Sequence, residues 1–148
     1  MSRVQLALNV TDLDAAVDFY SRLFNAQPAK RRAGYANFAL DSPALKLVLI
    51  QGEGAGGTLN HLGVEVEDSQ QVAAASRRLE AQGLTTRDEE GVTCCYATQD
   101  KVWVSDPDNA PWEVYTVLAD SATFAGAQPA KAAAAAAAAE PAACCGGH

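Results

Sequence analysis

At 148 residues the chain is long enough for one domain with its own core and needs no disulfide to hold it. Its net charge of -7 excludes a nucleic-acid or anionic-membrane surface outside a local basic patch, because phosphates would be repelled. No membrane-length apolar run and no signal-peptide pattern is present, so the sequence reads as a cytoplasmic protein without nucleic-acid or membrane partners.

The opening stretch from Val4 alternates as a strand, with Val4, Leu6, Leu8 and Val10 on one side and Gln5, Ala7 and Asn9 on the other. A helix follows, capped by Thr11 or Asp12, whose apolar face collects Leu13, Ala16, Val17, Tyr20, Leu23 and Phe24. The basic run Lys30 to Arg32 reads as a solvated strand edge, within the first of three further strand candidates at 29–33, 35–40 and 45–50. From Asn60 the pattern starts again at an offset of 56 residues: a strand with Leu62, Val64 and Val66 opposite His61, Gly63 and Glu65, then a helix carrying Val72, Ala75 and Leu79. Asp68 or Ser69 caps that helix and Gly83 stops it. Strand candidates at 85–97, 101–105 and 112–118 complete the copy, with "DSP" at 41–43 and "DPDNAP" at 106–111 as turns. The unit is βαβββ, present twice, in modules of about 1–52 and 59–118. After about residue 120 the chain becomes mostly Ala and Gly, and 121–148 reads as a flexible tail that joins no core and ends in a cysteine pair.

Gln5 and His61 occupy equivalent positions in the two copies, and alternation in the last strand sets Glu113 with Tyr115 and Val117 against Trp112, Val114 and Thr116. If the repeated sheets curve about a common cleft, Gln5, His61 and Glu113 form one cluster. An imidazole, a carboxylate and an amide without a fourth protein ligand suit a borderline divalent cation with open positions. The competing reading is a satisfied strand histidine and a solvated glutamate. His61 is the sole histidine apart from the terminal residue, and its counterpart Gln5 is polar, which favours the cluster.

The four cysteines fall in two adjacent pairs, Cys94–Cys95 and Cys144–Cys145. In a reducing cytoplasm such pairs bind soft metals or act chemically more often than they staple a fold, although Cys94 and Cys95 also suit small buried hydrophobes. A regular strand sends neighbouring side chains to opposite faces, so Cys94 and Cys95 must sit in a turn or irregular strand end to converge; Gly91 and "TQD" at 98–100 permit one. Tyr96, Lys101 and Trp103 flank this stretch and Tyr115 shares the face of Glu113; both tryptophans, Trp103 and Trp112, read first as packing residues.

The doubled βαβββ unit with Gln5, His61 and Glu113 on its first, fifth and eighth strands resembles the vicinal oxygen chelate superfamily of glyoxalases, bleomycin and fosfomycin resistance proteins and extradiol dioxygenases. The segments "MSRVQLALNVTDLDAAVDFYSRLF", "LNHLGVEVED" and "TCCYATQDKVWVSDPDNAPWEVYTVLAD" are similar to the cadmium-induced and carbon–arsenic lyase family within it, over residues 1 to about 120. The resemblance implies an α+β fold in which the two modules form a curved mixed sheet around a metal cleft. It implies a non-heme Fe(II) dioxygenase that uses dioxygen to cleave the carbon–arsenic bond of trivalent organoarsenicals such as methylarsenite, or aryl arsenicals, for detoxification. Gln5, His61 and Glu113 would be the iron ligands and Cys94 and Cys95 would bind arsenic; Cys144 and Cys145, on the tail, could capture arsenicals in an auxiliary role, sequester soft cations or have no role. The fourth strand, "ALKLVLI", lacks the metal ligand of glyoxalase-like relatives, which counts against a Zn(II), Ni(II) or Mn(II) glyoxalase or thiol transferase. A non-catalytic protein that sequesters cadmium or arsenicals through its cysteines is the principal alternative. Two modules in one chain suffice for a cleft, and the resemblance also allows a homodimer.

Overall fold

A computed structural model of the chain describes residues 2–120; the tail expected at 121–148, with Cys144 and Cys145, lies outside the described residues. The elements are β1 (Arg3–Val10), α1 (Leu13–Phe24), β2 (Lys30–Arg32), β3 (Tyr35–Asp41), β4 (Ala44–Gln51), β5 (Leu59–Glu65), α2 (Ser69–Ala81), β6 (Arg87–Cys94), β7 (Ala97–Ser105) and β8 (Pro111–Asp120). Both βαβββ units are present. All eight strands form one curled sheet in the order β2-β3-β4-β1-β5-β8-β7-β6.

The two modules meet along the antiparallel β1–β5 seam, and each is closed by a parallel pair, β1–β4 in the first and β5–β8 in the second. The helices lie on the outer face. Leu13 and Val17 of α1 pack on Leu6, Leu8, Phe38, Leu47 and Leu49, while Val72, Ala75 and Leu79 of α2 pack on Val102, Val104 and Val114. The inner face carries buried polar side chains instead: Gln5, Asn9, Asn37, His61, Gln99, Lys101 and Glu113. The alternation expected of β1, β5 and β8 therefore holds, and it divides an apolar outer core from an inner face where these polar side chains sit beside a second apolar cluster that includes Ala7, Val48 and Trp103.

Asp12 and Asp68 are the N-caps, accepting from the Ala15 and Gln71 amides at 3.1 and 2.9 Å. Four expectations are corrected. Leu23 is 57 % exposed, because ~100° per residue carries it ~80° round the helix from Leu13, to the margin of the stripe. Val4 is 50 % exposed; the cluster under α1 takes Leu6, Leu8 and Val10 but not the strand's beginning. The turn between β6 and β7 falls at residues 95–96, so residues 98–100 belong to β7. Finally, the basic run is the edge strand β2 with Arg31 and Arg32 exposed, as expected, but Lys30 is largely covered and donates to the Tyr96 carbonyl and to the exposed Asp120.

Candidate metal centre and thiol turn

Gln5, His61 and Glu113 converge as the alternation requires. Gln5 Nε2 lies 3.0 Å from His61 Nε2 and donates to Glu113 Oε2 at 2.7 Å, and His61 Nε2 is 2.8 Å from the same carboxylate oxygen. All three residues are buried. The ladder explains the meeting, since Gln5 pairs with Gly63 across the seam and Gly63 pairs with Glu113. A Cβ on Gly63 would stand 2.8 Å from the Glu113 carbonyl oxygen, 2.9 Å from Glu113 Cγ and 3.1 Å from Gln5 Nε2. Only a glycine lets the two side chains close over this point. The one-letter sequence showed Gly63 as a face position without revealing that role.

The charges are balanced in place. Burial pushes the Glu113 carboxyl up, but the Lys101 ammonium at 2.8 Å and His61 outweigh it and hold the group at about 2, so it is a carboxylate at neutral pH. Lys101 is itself buried, its Nζ 5.3 Å from the Trp103 ring centroid and 5.9 Å from that of Tyr115. His61 Nδ1 lies 2.8 Å from Asn60 Oδ1, an oxygen that can only accept, so this contact orients the ring with Nε2 toward Gln5 and Glu113. Asn60 Nδ2 donates onward to Asn9 Oδ1 at 3.0 Å, and Asn9 Nδ2 to Thr58 Oγ1 at 3.0 Å.

Protons serve this near-equilateral triangle poorly with either ring tautomer: with a proton on Nε2 the Gln5–His61 edge has two donors, and without one the His61–Glu113 edge has two acceptors. A cation fits better. Donors in cis positions ~2.1 Å from one octahedral ion stand ~3 Å apart, which is the spacing seen here, and turning the Gln5 amide over presents its oxygen. Among the described residues no group of three or more His, Cys, Asp and Glu side chains is placed to hold a metal; this centre consists of one histidine, one carboxylate and an amide. The repeat also locates the missing fourth donor. Ala7 and Gly63 are equivalent, Gly63 pairs with Glu113, and Ala7 pairs with Val48, so an apolar side chain stands where symmetry calls for a ligand. Elsewhere on β4, Lys46 pairs with Glu65, which Arg3 also holds.

Cys94 ends β6, and Cys95 and Tyr96 form a two-residue hairpin turn with φ of 54° and 62°. Such turns favour Asn and Gly, and the left-handed conformation costs other residues ~1–2 kcal/mol each. The bend brings the two sulfurs to 3.2 Å. They are buried among Ala7, Tyr35, Val48, Ile50 and Trp103, and Trp103 also meets the His61 ring edge-on at 5.8 Å between centroids. Cys95, Gln5, Glu113, Gln99 and Tyr115 line one cavity of about 310 Å³, which Arg3, Lys30 and Lys46 border as well. Trp112, by contrast, is only partly buried and outside this cavity.

The model of the Glyoxalase/Bleomycin resistance protein/Dioxygenase superfamily matches residues 3–114. The chain is similar to the cadmium-induced protein CadI of Mycobacterium tuberculosis (strain ATCC 25618 / H37Rv), with 68 % identity over 124 residues covering 84 % of this chain and 82 % of that protein. To the trivalent organoarsenical cleaving enzyme of Thermomonospora curvata the identity is 61 % over 128 residues, covering 86 % and 85 %. Among solved structures, an extradiol ring-cleaving dioxygenase from B. fuscum superposes with a TM-score of 0.59 at 20 % identity, over 80 % of this chain and 33 % of that one. The Mn(II)-bound glyoxalase from Novosphingobium aromaticivorans gives 0.58 at 22 % identity, over 86 % and 44 %. At these identities the structural likeness is one of fold.

Proposed function

Because the chain belongs to the glyoxalase/bleomycin resistance protein/dioxygenase superfamily, we propose that it is an Fe(II)-dependent dioxygenase that cleaves the carbon–arsenic bond of trivalent organoarsenicals, methylarsenite or an aryl arsenical, and releases arsenite. The observation that carries this reading is the cavity that Cys95 shares with Gln5 and Glu113. A relative at 61 % identity named a trivalent organoarsenical cleaving enzyme supports it.

His61 Nε2, Glu113 Oε2 and the turned amide of Gln5 would hold the metal. Iron(II) there supplies the activation of dioxygen. Lys101 keeps Glu113 ionised, as a ligand and not an acid, and Asn60 fixes the His61 ring with Nε2 toward its partners. Trivalent arsenic is soft and thiophilic, and methylarsenite has two exchangeable oxygens beside its carbon. Once reduced, the Cys94 and Cys95 thiols would replace both oxygens, each exchange releasing one water, and leave the carbon substituent free, while Trp103, Tyr35, Val48 and Ile50 keep bulk water from the sulfurs. The partner is thus a small organoarsenical, and one chain supplies all three metal donors, so catalysis needs no second copy.

The test is to load the metal-free protein anaerobically with Fe(II), add methylarsenite, admit oxygen and separate the arsenic species. Arsenite should accumulate over many turnovers, only with iron and oxygen, and His61→Ala should abolish turnover while retaining arsenical affinity. Full activity in His61→Ala sinks the reading. The 68 % identity to a cadmium-induced protein favours a second one, sequestration of Cd(II) or arsenicals by cysteines without turnover. It predicts stoichiometric retention of unchanged methylarsenite by iron-loaded protein.

A further inference from the structure

Lys30 joins three parts of the chain. Its Nζ donates to the Tyr96 carbonyl oxygen at 2.9 Å and to Asp120 Oδ1 at 2.8 Å, and its side chain is only 15 % exposed. Two more groups of the first module bear on the same turn: the Arg32 guanidinium lies over the Tyr96 ring, 5.8 Å from its centroid, and the Tyr35 ring is 5.7 Å away. Cys95 and Tyr96 both have positive φ without being glycine, so the turn is held against its own preference. An extended backbone at Cys95 would send its side chain to the face opposite Cys94. Left-handed backbone and converging sulfurs are therefore one geometric condition.

We propose that Lys30 is a positioning residue for the sulfur pair: by fixing the Tyr96 carbonyl it holds the turn left-handed and keeps Cys94 and Cys95 close enough for one trivalent arsenic to bridge. This deepens the proposed function and rests on its assignment of Cys94 and Cys95 to arsenic. Without Lys30 the turn samples extended conformations, each sulfur still exists, and only the pair is lost. Two-point binding then weakens while single-point reaction does not.

The test uses the reduced, metal-free full chain with Cys144→Ser and Cys145→Ser, so that Cys94 and Cys95 are its sole thiols. Phenylarsine oxide probes the pair, and iodoacetamide probes single sulfurs. Lys30→Ala should lower phenylarsine oxide affinity about tenfold while iodoacetamide alkylation stays equal or quickens. Lys30→Arg, which keeps donors at this position, should restore most of the affinity. Unchanged phenylarsine oxide binding in Lys30→Ala, or an equal loss for both probes, overturns the proposal. Hydrogen exchange separates this failure from that of the proposed function. The Ala97 amide, which closes the turn opposite Cys94, should exchange about tenfold faster in Lys30→Ala whether or not arsenic binds. A parent protein that fails to bind phenylarsine oxide sinks the arsenical reading alone, and unaltered exchange sinks the brace.

Discussion

Gly63 and Lys101 do different work at the same carboxylate. Gly63 leaves the space in which Gln5 and Glu113 meet, and its replacement by alanine drives a Cβ against the Glu113 carbonyl, which is backbone and cannot rotate away. Gly63→Ala should therefore destabilise the fold by about 1–3 kcal/mol and weaken Fe(II) or Co(II) binding; urea denaturation and a metal titration read the two effects. Metal affinity equal to that of the parent would show that the donors do not need this gap. Lys101 neutralises the carboxylate. Removing one member of a buried ion pair leaves its partner uncompensated, at about 3–5 kcal/mol, so Lys101→Met should unfold at much lower urea than the parent. The double variant Lys101→Met/Glu113→Gln should recover a large part of that loss. These roles explain what a sequence can and cannot disclose. Alternation placed Gln5, His61 and Glu113 on one face, because period two is a property of any strand. The role of Gly63 depends on register across strands distant in sequence, and the pairing of Lys101 with Glu113 on the register of the β7–β8 hairpin, neither of which alternation within a strand encodes.

At the level of elements, Glu65 at the end of β5 ties three strands together. Arg3 of β1 donates to its Oε1 at 3.0 Å and Lys46 of β4 to its Oε2 at 2.9 Å. Burial raises the Glu65 pKa, but Lys46 and Arg3 outweigh it and hold it below the ordinary carboxylate value. A depressed folded-state pKa gives stability that is present above the unfolded pKa and lost as pH falls through the folded one. Glu65 thus supports the β1–β5 seam at neutral pH and gives way in acid. Denaturant melts from pH 7 down to pH 3 should show a shallower acid loss in Glu65→Gln than in the parent; an identical slope would remove Glu65 from the acid response. The elements themselves were largely legible. Two helices announced themselves through caps and a 3.6-residue stripe, and the 56-residue repeat fixed which strands correspond. The β6–β7 turn was the exception. Its residues, Cys95 and Tyr96, carry no turn signal, since the backbone is held by Lys30, Arg32 and Tyr35 from another module and not by glycine of its own. The requirement that two neighbouring thiols bend to converge was the one clue, and it located the irregularity to within a few residues.

The whole molecule is a duplicated unit whose two halves have diverged at the centre they share. Symmetry pairs Gln5 with His61 and Val48 with Glu113, so a fully duplicated site would have four donors, and the proposed site has three. Val48 also belongs to the cluster around Cys94, Cys95 and Trp103, so in the proposed site an apolar residue here would leave a metal position open on the side where the sulfurs lie and dry their surroundings. Restoring the donor should reverse both effects. In Val48→Glu a carboxylate is introduced at a position now 2 % exposed, so the metal-free protein should melt below the parent. Zn(II) or Ni(II) should bind more tightly than to the parent and raise the melting temperature again, because the added carboxylate then has a cation to face. With iron, oxygen-dependent arsenite release should fall, since the fourth donor would occupy a position that the proposed reaction needs open. A variant destabilised without metal and not rescued by Zn(II) or Ni(II) would mean that Val48 does not face the ion, and that the duplication is a relic of the fold with no bearing on how the metal is held.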